Sequence, residues 1–549
     1  MRAAQCEVER GVRKVPSAGK VVSAAKSLKD DADIRAAVIA RAAGQIQGSA
    51  LATGPAVAPT ATLAATAPDP LTFGRWSNPF VIPVVGVTAV LLHTGKVLFW
   101  SYDPVDYHNP DNSGNGVGFV WDYTTRTGHN IPPPENIWCA AQTVLADGRV
   151  YVAGGNLRYP DPSAPAGTSA WQGSLSNYTF NPYTELWARQ PDMVRGRWYP
   201  TVTQLADNRV VITSGIDETG SGAITNDVEV FTPAANIAGV GTIRAVGTHN
   251  PSGLYPLQFL LPSGQVQEAG PNAASSFKLN PLTWNWSTVP AMRSNHYYLG
   301  NGVSYTDLSA GAPRQVIMVA GGHTEKTALA ANEWLDGFNP DAGWKDYPLW
   351  QVPRHNANTV ILPDGKLLTV GGNRGLYGYE LPEFSAELYS QAADNLTGTW
   401  QPMAPHQIQA AYHSTALLLP DATVLLSQDD MDYSVQAAFA HKVQIYSPPH
   451  LFKGAQPQIT AAPATATYGQ SLQVSTDRQV ASAMLVAPGA NTHGNDMHQR
   501  AIKLKVVNRT GGLTATVPQS RGVVPPGYYM LFVVDSSGIP SVARFINIS

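Results

Sequence analysis

The chain repeats one pattern of apolar and polar positions seven times between residues 89 and 427. In each copy a short apolar run is followed by a polar turn and a second apolar run, as in AVLLHTGKVLFWS, TVLADGRVYVAGGN and VILPDGKLLTVGGN. The turn centres, which are 50 to 60 residues apart, are Gly95, Gly148, Asn208, Gly264, Arg314, Gly365 and Ala422. Apolar runs around Asp-Gly and similar turns predict a β-hairpin in each copy.

A period of about 50 residues leaves room for one four-stranded sheet in each copy. Seven such sheets can close into a ring, which removes the exposed edges that an open arrangement would leave. The pattern therefore predicts an all-β fold with a seven-bladed, Kelch-like β-propeller over residues 76–450. An array of β-sandwiches is the alternative, although it would not need seven similar hairpins at this spacing.

The regions on either side of the repeat have different patterns. Residues 455–549 contain the short alternating runs SLQVST, AIKLKVV, LTATV and YYMLFVV between Gly, Pro and Asn turns, which predict an Ig-like β-sandwich. Residues 1–75 are rich in Ala and Pro, and a helix is predicted around residues 27–45. We interpret this first segment as a tail or linker, and a processed or targeting segment is the alternative.

Composition narrows the classes of function. Only 14% of residues are charged and the formal net charge is -3, so no basic surface is expected that could bind a nucleic acid. No stretch reaches the roughly 18 apolar residues that span a bilayer, and the N-terminus lacks the apolar core of a secretory signal. The two cysteines, Cys6 and Cys139, cannot form a disulfide framework.

Four short phrases carry side chains that bind metals or exchange electrons, and three of them precede the first strand of a repeat. They are Trp138-Cys139, Arg197-Trp198-Tyr199-Pro200, Tyr412-His413-Ser414 and Thr492-His493. Because equivalent strands of a ring begin at one end of its axis, two phenols and two imidazoles would converge there, and the sandwich would supply one of the imidazoles by reaching over the ring. Two nitrogen and two oxygen donors with an open position suit Cu(II). Taken singly, such residues are more often satisfied members of a core.

These phrases resemble the galactose oxidase and glyoxal oxidase family of copper-radical oxidases. The resemblance runs from about Asn78 to Ser549 and is clearest in YHSTALLLPD at 412–421, THGNDMHQR at 492–500 and PPGYYMLFVVDSSGIPSVA at 525–543. It implies a monomeric copper enzyme that oxidises a primary alcohol or an aldehyde, or a carbohydrate, with dioxygen and releases hydrogen peroxide. It also implies an extracellular or cell-envelope location.

The resemblance further implies a role for each of five residues. Cys139 is thioether-linked to the ring of Tyr199, and the linked Tyr199 is an equatorial copper ligand and the site of the radical. Tyr412 is the axial ligand and the base that takes the substrate's hydroxyl proton. His413 and His493 complete the copper sphere. Alcohol oxidation removes two electrons and a Cu(II) to Cu(I) step accepts one, so the tyrosyl radical is the second acceptor.

The chain departs from galactose oxidase in the residues around this centre. Asp217 replaces the tryptophan that stacks on the linked tyrosine, and Trp198 is the candidate replacement. Asn250–Pro251 occupy the place of the arginine that grips sugar hydroxyls, and the tyrosine-glutamine pair is replaced near Lys326 and Thr327. Galactose is therefore not the expected substrate, and a small alcohol, an aldehyde such as glyoxal or methylglyoxal, or a glycan terminus stays open.

Two other functions stay open from the residues alone. In one, the propeller is a non-catalytic binding protein and the five side chains are relics, although the presence of all five argues against this. In the other, the chain holds copper or zinc for hydrolysis or storage without radical chemistry. Two phenols are poor ligands for a hydrolase, and no carboxylate base lies in these phrases.

Overall fold

The computed structural model describes eleven stretches of the chain, the longest at its C-terminus. They are residues 68–102, 116–161, 163–165, 169–271, 274–294, 296, 300–309, 311–324, 327–375, 380–430 and 441–549. The predicted all-β class is confirmed in them, because the helices are one short α-helix, α1 (Pro70–Phe73), and the 3-10 turns Pro340–Ala342 and Pro449–Phe452. No helix in these stretches is long and apolar enough to cross a membrane.

Two strands, β1 and β2, precede seven antiparallel groups of strands in the described residues, and two further sheets follow near the C-terminus. The strands are β1 (Arg75–Trp76), β2 (Phe80–Ile82); β3 (Thr88–Leu91), β4 (Lys96–Ser101), β5 (Val117–Asp122), β6 (Thr127–Asn130); β7 (Ala141–Val144), β8 (Val150–Ala153), β9 (Asn156–Arg158), β10 (Gln172–Gly173), β11 (Asn177–Asn181), β12 (Leu186–Gln190); β13 (Thr201–Gln204), β14 (Val210–Thr213), β15 (Asp227–Thr232), β16 (Thr242–Thr248); β17 (Leu257–Leu260), β18 (Val266–Ala269), β19 (Ser276–Asn280), β20 (Asn285–Val289); β21 (Asn301–Asp307), β22 (Arg314–Ala320), β23 (Asn332–Asp336), β24 (Lys345–Tyr347); β25 (His355–Ile361), β26 (Leu367–Asn373), β27 (Ala386–Tyr389), β28 (Trp400–Met403); β29 (Ala416–Leu418), β30 (Val424–Ser427), β31 (His441–Ser447); and β32 (Ile459–Ala461), β33 (Thr465–Ala466), β34 (Ser471–Thr476), β35 (Ser482–Val486), β36 (Ala490–Thr492), β37 (Asn495–Asp496), β38 (Ala501–Lys503), β39 (Val506–Arg509), β40 (Gly512–Thr516), β41 (Gly527–Val534), β42 (Arg544–Ile548).

Every predicted hairpin is present as a pair of adjacent antiparallel strands. The pairs are β3 with β4, β7 with β8, β13 with β14, β17 with β18, β21 with β22, β25 with β26, and β29 with β30. The fifth turn is displaced, since Arg314 is the first residue of β22. The chain turns earlier there, where the Asp307 carboxylate accepts the backbone N–H of Ser309 at 2.7 Å.

The first strands of successive sheets contact one another, from β7 through β13, β17, β21 and β25 to β29, and β29 contacts β3. The seventh sheet is completed by β1 and β2, which both pair with β31. Residues from the two ends of the repeat region therefore share a sheet. This pairing satisfies the backbone of β31, which would otherwise be an exposed edge.

Buried carboxylates fix the loops that lead into three of the sheets. In each case a glutamate on the third strand accepts two consecutive backbone N–H groups from the loop before the first strand, and it also pairs with a buried cation or imidazole. The glutamates are Glu229, Glu333 and Glu387, and their side-chain partners are Arg197, His296 and Arg354. The first of these loops carries Tyr199, so the same bonding fixes the approach to a predicted site residue.

The C-terminal strands form two further sheets that join the repeat region. One has the order β32-β34-β40-β39, and the other, β38-β35-β41-β42-β33, continues into the fifth sheet through a parallel pairing of β38 with β21. The run AIKLKVV, predicted as a single strand, divides into β38 and β39 in different sheets. The chain crosses between the sheets at Leu504, whose N–H donates to the carbonyl of Ala483.

The buried ion pair of Arg354 and Glu387 generates a prediction about stability. The two groups are 2.6 Å apart and their side chains are at most 1% exposed, so Glu387→Gln leaves a buried guanidinium without its counter-charge. We expect the free energy of unfolding in urea to fall by about 3–5 kcal/mol. The control is Asp346→Asn, which breaks an exposed pair with Arg293 and should cost less than about 1 kcal/mol. Equal losses in the two variants would contradict this account.

Candidate metal centre

The residues before the first strands of three consecutive sheets share an uncommon backbone conformation. Cys139, Tyr199 and Tyr255 each lie two positions before a first strand and have φ values of 57°, 64° and 47°. Positive φ is rare for residues other than glycine and is concentrated at functional sites. The N–H of Tyr199 donates to the carbonyl of Cys139, and that of Tyr255 to the carbonyl of Tyr199, both at 3.0 Å. These bonds hold the entrances of neighbouring sheets, which are the residues directly before each first strand, side by side.

Tyr412 and His413 occupy the entrance to the seventh sheet. His413 has a φ of 71°, and its imidazole stacks on the ring of Tyr412 with a centroid separation of 3.8 Å. The preceding turn is fixed by the Asp429 carboxylate, which accepts the N–H of Ala411 at 2.9 Å. The same kind of entrance thus presents a phenol and an imidazole from the opposite end of the repeat region.

His493 lies at the tip of the hairpin formed by β36 and β37. The turn has two residues, His493 and Gly494, both with positive φ (54° and 74°), as a type I′ turn requires. A Cβ at Gly494 would lie 2.6 Å from the carbonyl oxygen of Ala357, so glycine is needed there. The sequence predicted that the sandwich reaches over the ring; instead β36 pairs along β3, where its backbone groups find partners.

The structure brings all five predicted site residues together in the interior. Nε2 of His493 lies 2.9 Å from the hydroxyl oxygen of Tyr199 and 3.5 Å from the sulfur of Cys139. The hydroxyl groups of Tyr199 and Tyr412 are in contact. Ligand atoms of Cys139, His413 and His493 lie within 4.8 Å of one another. None of the five residues is more than 5% exposed.

Hydrogen bonds to Nδ1 orient both imidazoles. Nδ1 of His413 lies 2.7 Å from the Asp430 carboxylate, which also accepts the hydroxyl of Tyr102 at 2.8 Å. The Thr492 hydroxyl donates to the carbonyl of Val87, so it can only accept a proton from Nδ1 of His493, 2.7 Å away. Nδ1 therefore carries the proton in each ring, and Nε2 is the atom available to a metal.

Burial makes the centre unfavourable for charge until a cation enters it. Burial raises the pKa of Tyr199 well above its usual value, and the neighbouring Cys139 and Tyr412 raise it further. Burial also lowers the pKa of His493 well below its usual value, with a smaller contribution from His413. Imidazoles that present Nε2 and phenols that need a cation to ionise are donors that Cu(II) accepts, so the residues present fit copper.

Aromatic rings cover both faces of Tyr199. The indole of Trp198 stacks on it with a centroid separation of 3.8 Å and an interplanar angle of 17°. The ring of Tyr255 stacks on the other face at 4.5 Å and 25°. The carboxylate of Asp217 lies in a turn, where it accepts the N–H and hydroxyl of Thr219. The sequence candidate, Trp198, therefore lies where it was expected.

The sequence did not predict Tyr255, Asp430 or Tyr102 as part of the centre. Tyr255 had a signal, because its Tyr-Pro pair at 255–256 repeats the pair at 199–200 in the same position before a first strand. Asp430 and Tyr102 had no such signal in the sequence. Each follows the second strand of a sheet, and only folding brings these two chain positions together.

The described positions that depart from galactose oxidase, Asp217, Asn250, Pro251 and Thr327, lie on loops. Asn250 lines a surface pocket of about 400 Å³ together with Thr248, His249 and Phe277. Thr327 lies in an exposed turn closed by hydrogen bonds to Thr324, and Lys326 lies outside the described residues. No arginine or lysine lines the pocket at Asn250 among the residues that the structure describes there.

A family model described as glyoxal oxidase N-terminus matches residues 118–450, which is more than half of the chain. The chain belongs to the glyoxal oxidase family. A second model, the galactose oxidase-like early set domain, matches residues 456–548. The resemblance to galactose oxidase and glyoxal oxidase, first seen in the motifs, is thereby confirmed.

Individual relatives of this member of the glyoxal oxidase family are oxidases by name. Galactose oxidase from Gibberella zeae is 27% identical over 523 residues, which cover 88% of this chain and 72% of the relative. Aldehyde oxidase GLOX from Vitis pseudoreticulata is 27% identical over 454 residues, covering 75% and 82%. A solved fungal alcohol oxidase of the AA5 family in complex with copper has a TM-score of 0.71 at 23% identity, covering 87% of this chain and 100% of its own, which supports the fold.

The contact between Asp430 and His413 generates a prediction about metal affinity. Asp430→Asn weakens the acceptor that holds Nδ1 of His413, and such groups behind a metal ligand typically contribute a factor of about 10–100 in affinity. We expect the dissociation constant for Cu(II), measured by competition with a chelator, to rise by about 10–100-fold. The control is Asp192→Asn, which changes an exposed ion pair with Arg189 and should leave the dissociation constant for Cu(II) unchanged. Wild-type affinity in Asp430→Asn would show that the carboxylate has no such role.

Proposed function

We propose that this protein is a copper-radical oxidase that converts a primary alcohol or an aldehyde to the next oxidation level with dioxygen and releases hydrogen peroxide. The observation that carries the proposal is the convergence of two phenols, two imidazoles and a thiol in one buried cluster. The oxidase names of the relatives support the same kind of reaction.

Tyr199, Tyr412, His413 and His493 would hold one copper ion, and Cys139 would be joined to the ring of Tyr199. Copper, when bound, supplies a Lewis acid and an acceptor for one of the two electrons that the substrate loses. Forming the thioether replaces the S–H of Cys139 and a ring C–H of Tyr199 by an S–C bond. The two electrons and two protons that this releases pass to dioxygen.

Two side chains act directly on the substrate in this proposal. The Tyr412 oxygen takes the hydroxyl proton, and its contact with the Tyr199 hydroxyl keeps the two phenolic oxygens together. Tyr199, as a phenoxyl radical, would take the second electron together with the hydrogen of the substrate's C–H bond and become a phenol. A sulfur substituent on its ring makes the oxidation of Tyr199 to the radical easier. Trp198 and Tyr255, which stack on its two faces, keep solvent from direct contact with the ring.

We propose the architecture and domains that the repeat predicts: a Kelch-like seven-bladed propeller over residues 76–450 and an Ig-like, early-set β-sandwich over 455–549. The series of contacts from β7 through the first strands to β3, with β36 in contact with both β3 and β7, supports the propeller. The completion of the seventh sheet by β1 and β2 supports it as well. Residues 1–75, of which the structure describes only 68–75, would be a linker.

The substrate we propose is a small alcohol or an aldehyde rather than galactose, since Asn250–Pro251 offer no guanidinium to a sugar. A glycan terminus recognised by other residues is the variant of this proposal. A monomer suffices, because all five residues belong to one chain, and an extracellular or cell-envelope location follows from the family. A peroxide-release screen of the copper-loaded protein over alcohols, aldehydes and sugars tests the reaction and identifies the substrate.

Cys139 and Tyr199 generate the prediction that tests the mechanism. We expect Cys139→Ala and Tyr199→Phe each to lower kcat/KM for peroxide release by more than about 100-fold, or about 2.7 kcal/mol. Tyr199→Phe removes the second electron acceptor, and Cys139→Ala removes the sulfur substituent that makes this acceptor easy to oxidise. The thermal unfolding midpoints of the copper-free variants report on the fold.

The matched control is Tyr183→Phe, which removes an exposed phenolic hydroxyl that contacts the hydroxyl of Tyr528 outside the cluster, and it should retain wild-type turnover. Wild-type peroxide release from Cys139→Ala would contradict the thioether's role. Release by neither the wild type nor any variant, with any substrate of the screen, would contradict the oxidase itself.

A further inference from the structure

The stack of aromatic rings on Tyr199 continues beyond Trp198. The indole of Trp171 lies against that of Trp198 with a centroid separation of 4.6 Å and an interplanar angle of 10°. Trp198 in turn lies 3.8 Å from the ring of Tyr199. Three nearly parallel rings therefore form a continuous line, which we call the Trp171 line. Parallel rings at these separations are in van der Waals contact, and an electron can pass between them.

The Trp171 line connects a buried ring to the surface. Tyr199 is 3% exposed and Trp198 2% exposed, whereas Trp171 is partly exposed to solvent. A hydrated redox reagent is too large to touch Tyr199 at such low exposure, but it can contact Trp171. An outer-sphere reagent that contacts Trp171 can therefore exchange an electron with Tyr199 through the Trp171 line, although burial prevents direct contact with Tyr199.

The other face of Tyr199 does not lead outwards. Tyr255 is fully buried, and its hydroxyl donates to the carbonyl oxygen of Ala140 at 2.9 Å. A phenol gives up an electron readily only when it can also give up its proton, and a backbone carbonyl is too weak a base to take it. Tyr255 is therefore a packing partner of Tyr199 and not a step on an electron path.

Trp198 is suited to pass an electron and not to remain oxidised. Its Nε1–H is buried and has no hydrogen-bond acceptor among the residues that the structure describes. An indole that loses an electron without a base at Nε1 keeps its proton and stays a radical cation, which regains an electron from a neighbouring phenolate quickly. Tyr199 would then be the residue that remains oxidised, as a phenoxyl radical.

We propose that Trp198 and Trp171 form a one-electron relay between Tyr199 and an outer-sphere oxidant at the surface. The inference rests on the proposed function, because Tyr199 must be the ring that is oxidised. The Tyr199 phenolate loses one electron and becomes a phenoxyl radical, the electron passes through Trp198 and Trp171, and the oxidant is reduced by one electron. No atom is transferred, since the phenolic proton has already left on metal binding.

The test measures oxidation of the copper-loaded protein by hexacyanoferrate(III) in a stopped-flow spectrometer, without substrate. Wild type should consume one equivalent in a bimolecular step. Trp171→Phe keeps a ring on Trp198 but removes an oxidisable group, so we expect the rate constant to fall about tenfold or more, which corresponds to at least about 1.4 kcal/mol of added barrier. The midpoint potential of Tyr199, from a redox titration, should not change.

Two variants separate the relay from a structural role. Trp171→Tyr, whose phenol can pass its proton to solvent, should restore most of the wild-type rate. Trp286→Phe, at another partly exposed tryptophan that stacks on His249, should have no effect. Three results would overturn the relay but not the proposed function. They are oxidation of Trp171→Phe at the wild-type rate, a shift in the potential of Tyr199 large enough to account for the slower oxidation of Trp171→Phe, and equal slowing in Trp286→Phe. If wild type consumes no oxidant, the proposed function fails together with the relay.

Discussion

The centre depends on a backbone constraint at the entrances of the first strands. Cys139, Tyr199 and His413 must hold a left-handed conformation that side-chain-bearing residues rarely adopt, and hydrogen bonds between entrances and to Asp429 hold the local backbone in place. Such a conformation costs of order 1–3 kcal/mol at each residue, so it persists only where the surroundings over-determine it. The neighbouring sheets supply part of those surroundings, because the backbone of Tyr199 bonds to Cys139 on one side and to Tyr255 on the other.

The second constraint is the burial of the site residues. All five side chains are buried, and burial alone disfavours ionised phenols and protonated imidazoles. Asp430 and Thr492 settle which imidazole nitrogen carries the proton, so both rings present Nε2 to the cluster. A buried cluster of donors with fixed orientation changes little when a cation binds, which lowers the cost of reorganisation. The stacked rings extend the same burial to the ring of Tyr199.

The repeat period explains why much of the fold could be predicted from the sequence. Turn residues such as Gly148 and Gly365 mark hairpins locally, and their spacing sets the number of sheets, so the positions of Cys139, Tyr199 and Tyr412 relative to the first strands followed from the pattern alone. His493 was found through its motif. Its placement was described incorrectly because the pairing of β36 with β3 joins residues about 400 positions apart, which no local pattern encodes.

The partners of the site residues were harder to predict for the same reason. Trp198 could be identified because it is adjacent to Tyr199, whereas Trp171 and Asp430 reach the centre on loops outside the repeated hairpins. The contacts of such loops depend on how sheets pack, and a phenylalanine or asparagine there would leave the hairpin pattern unchanged. The periodic pattern therefore carries no information about the loop residues that contact the site residues.

The most direct measurement is a peptide map of the protein after incubation with Cu(II) and dioxygen, followed by full reduction of thiols. The account predicts a single cross-linked species in which the peptides of Cys139 and Tyr199 are joined with the loss of two hydrogens, and this species resists reductant. Recovery of the two peptides separately, with Cys139 still open to alkylation, would contradict it.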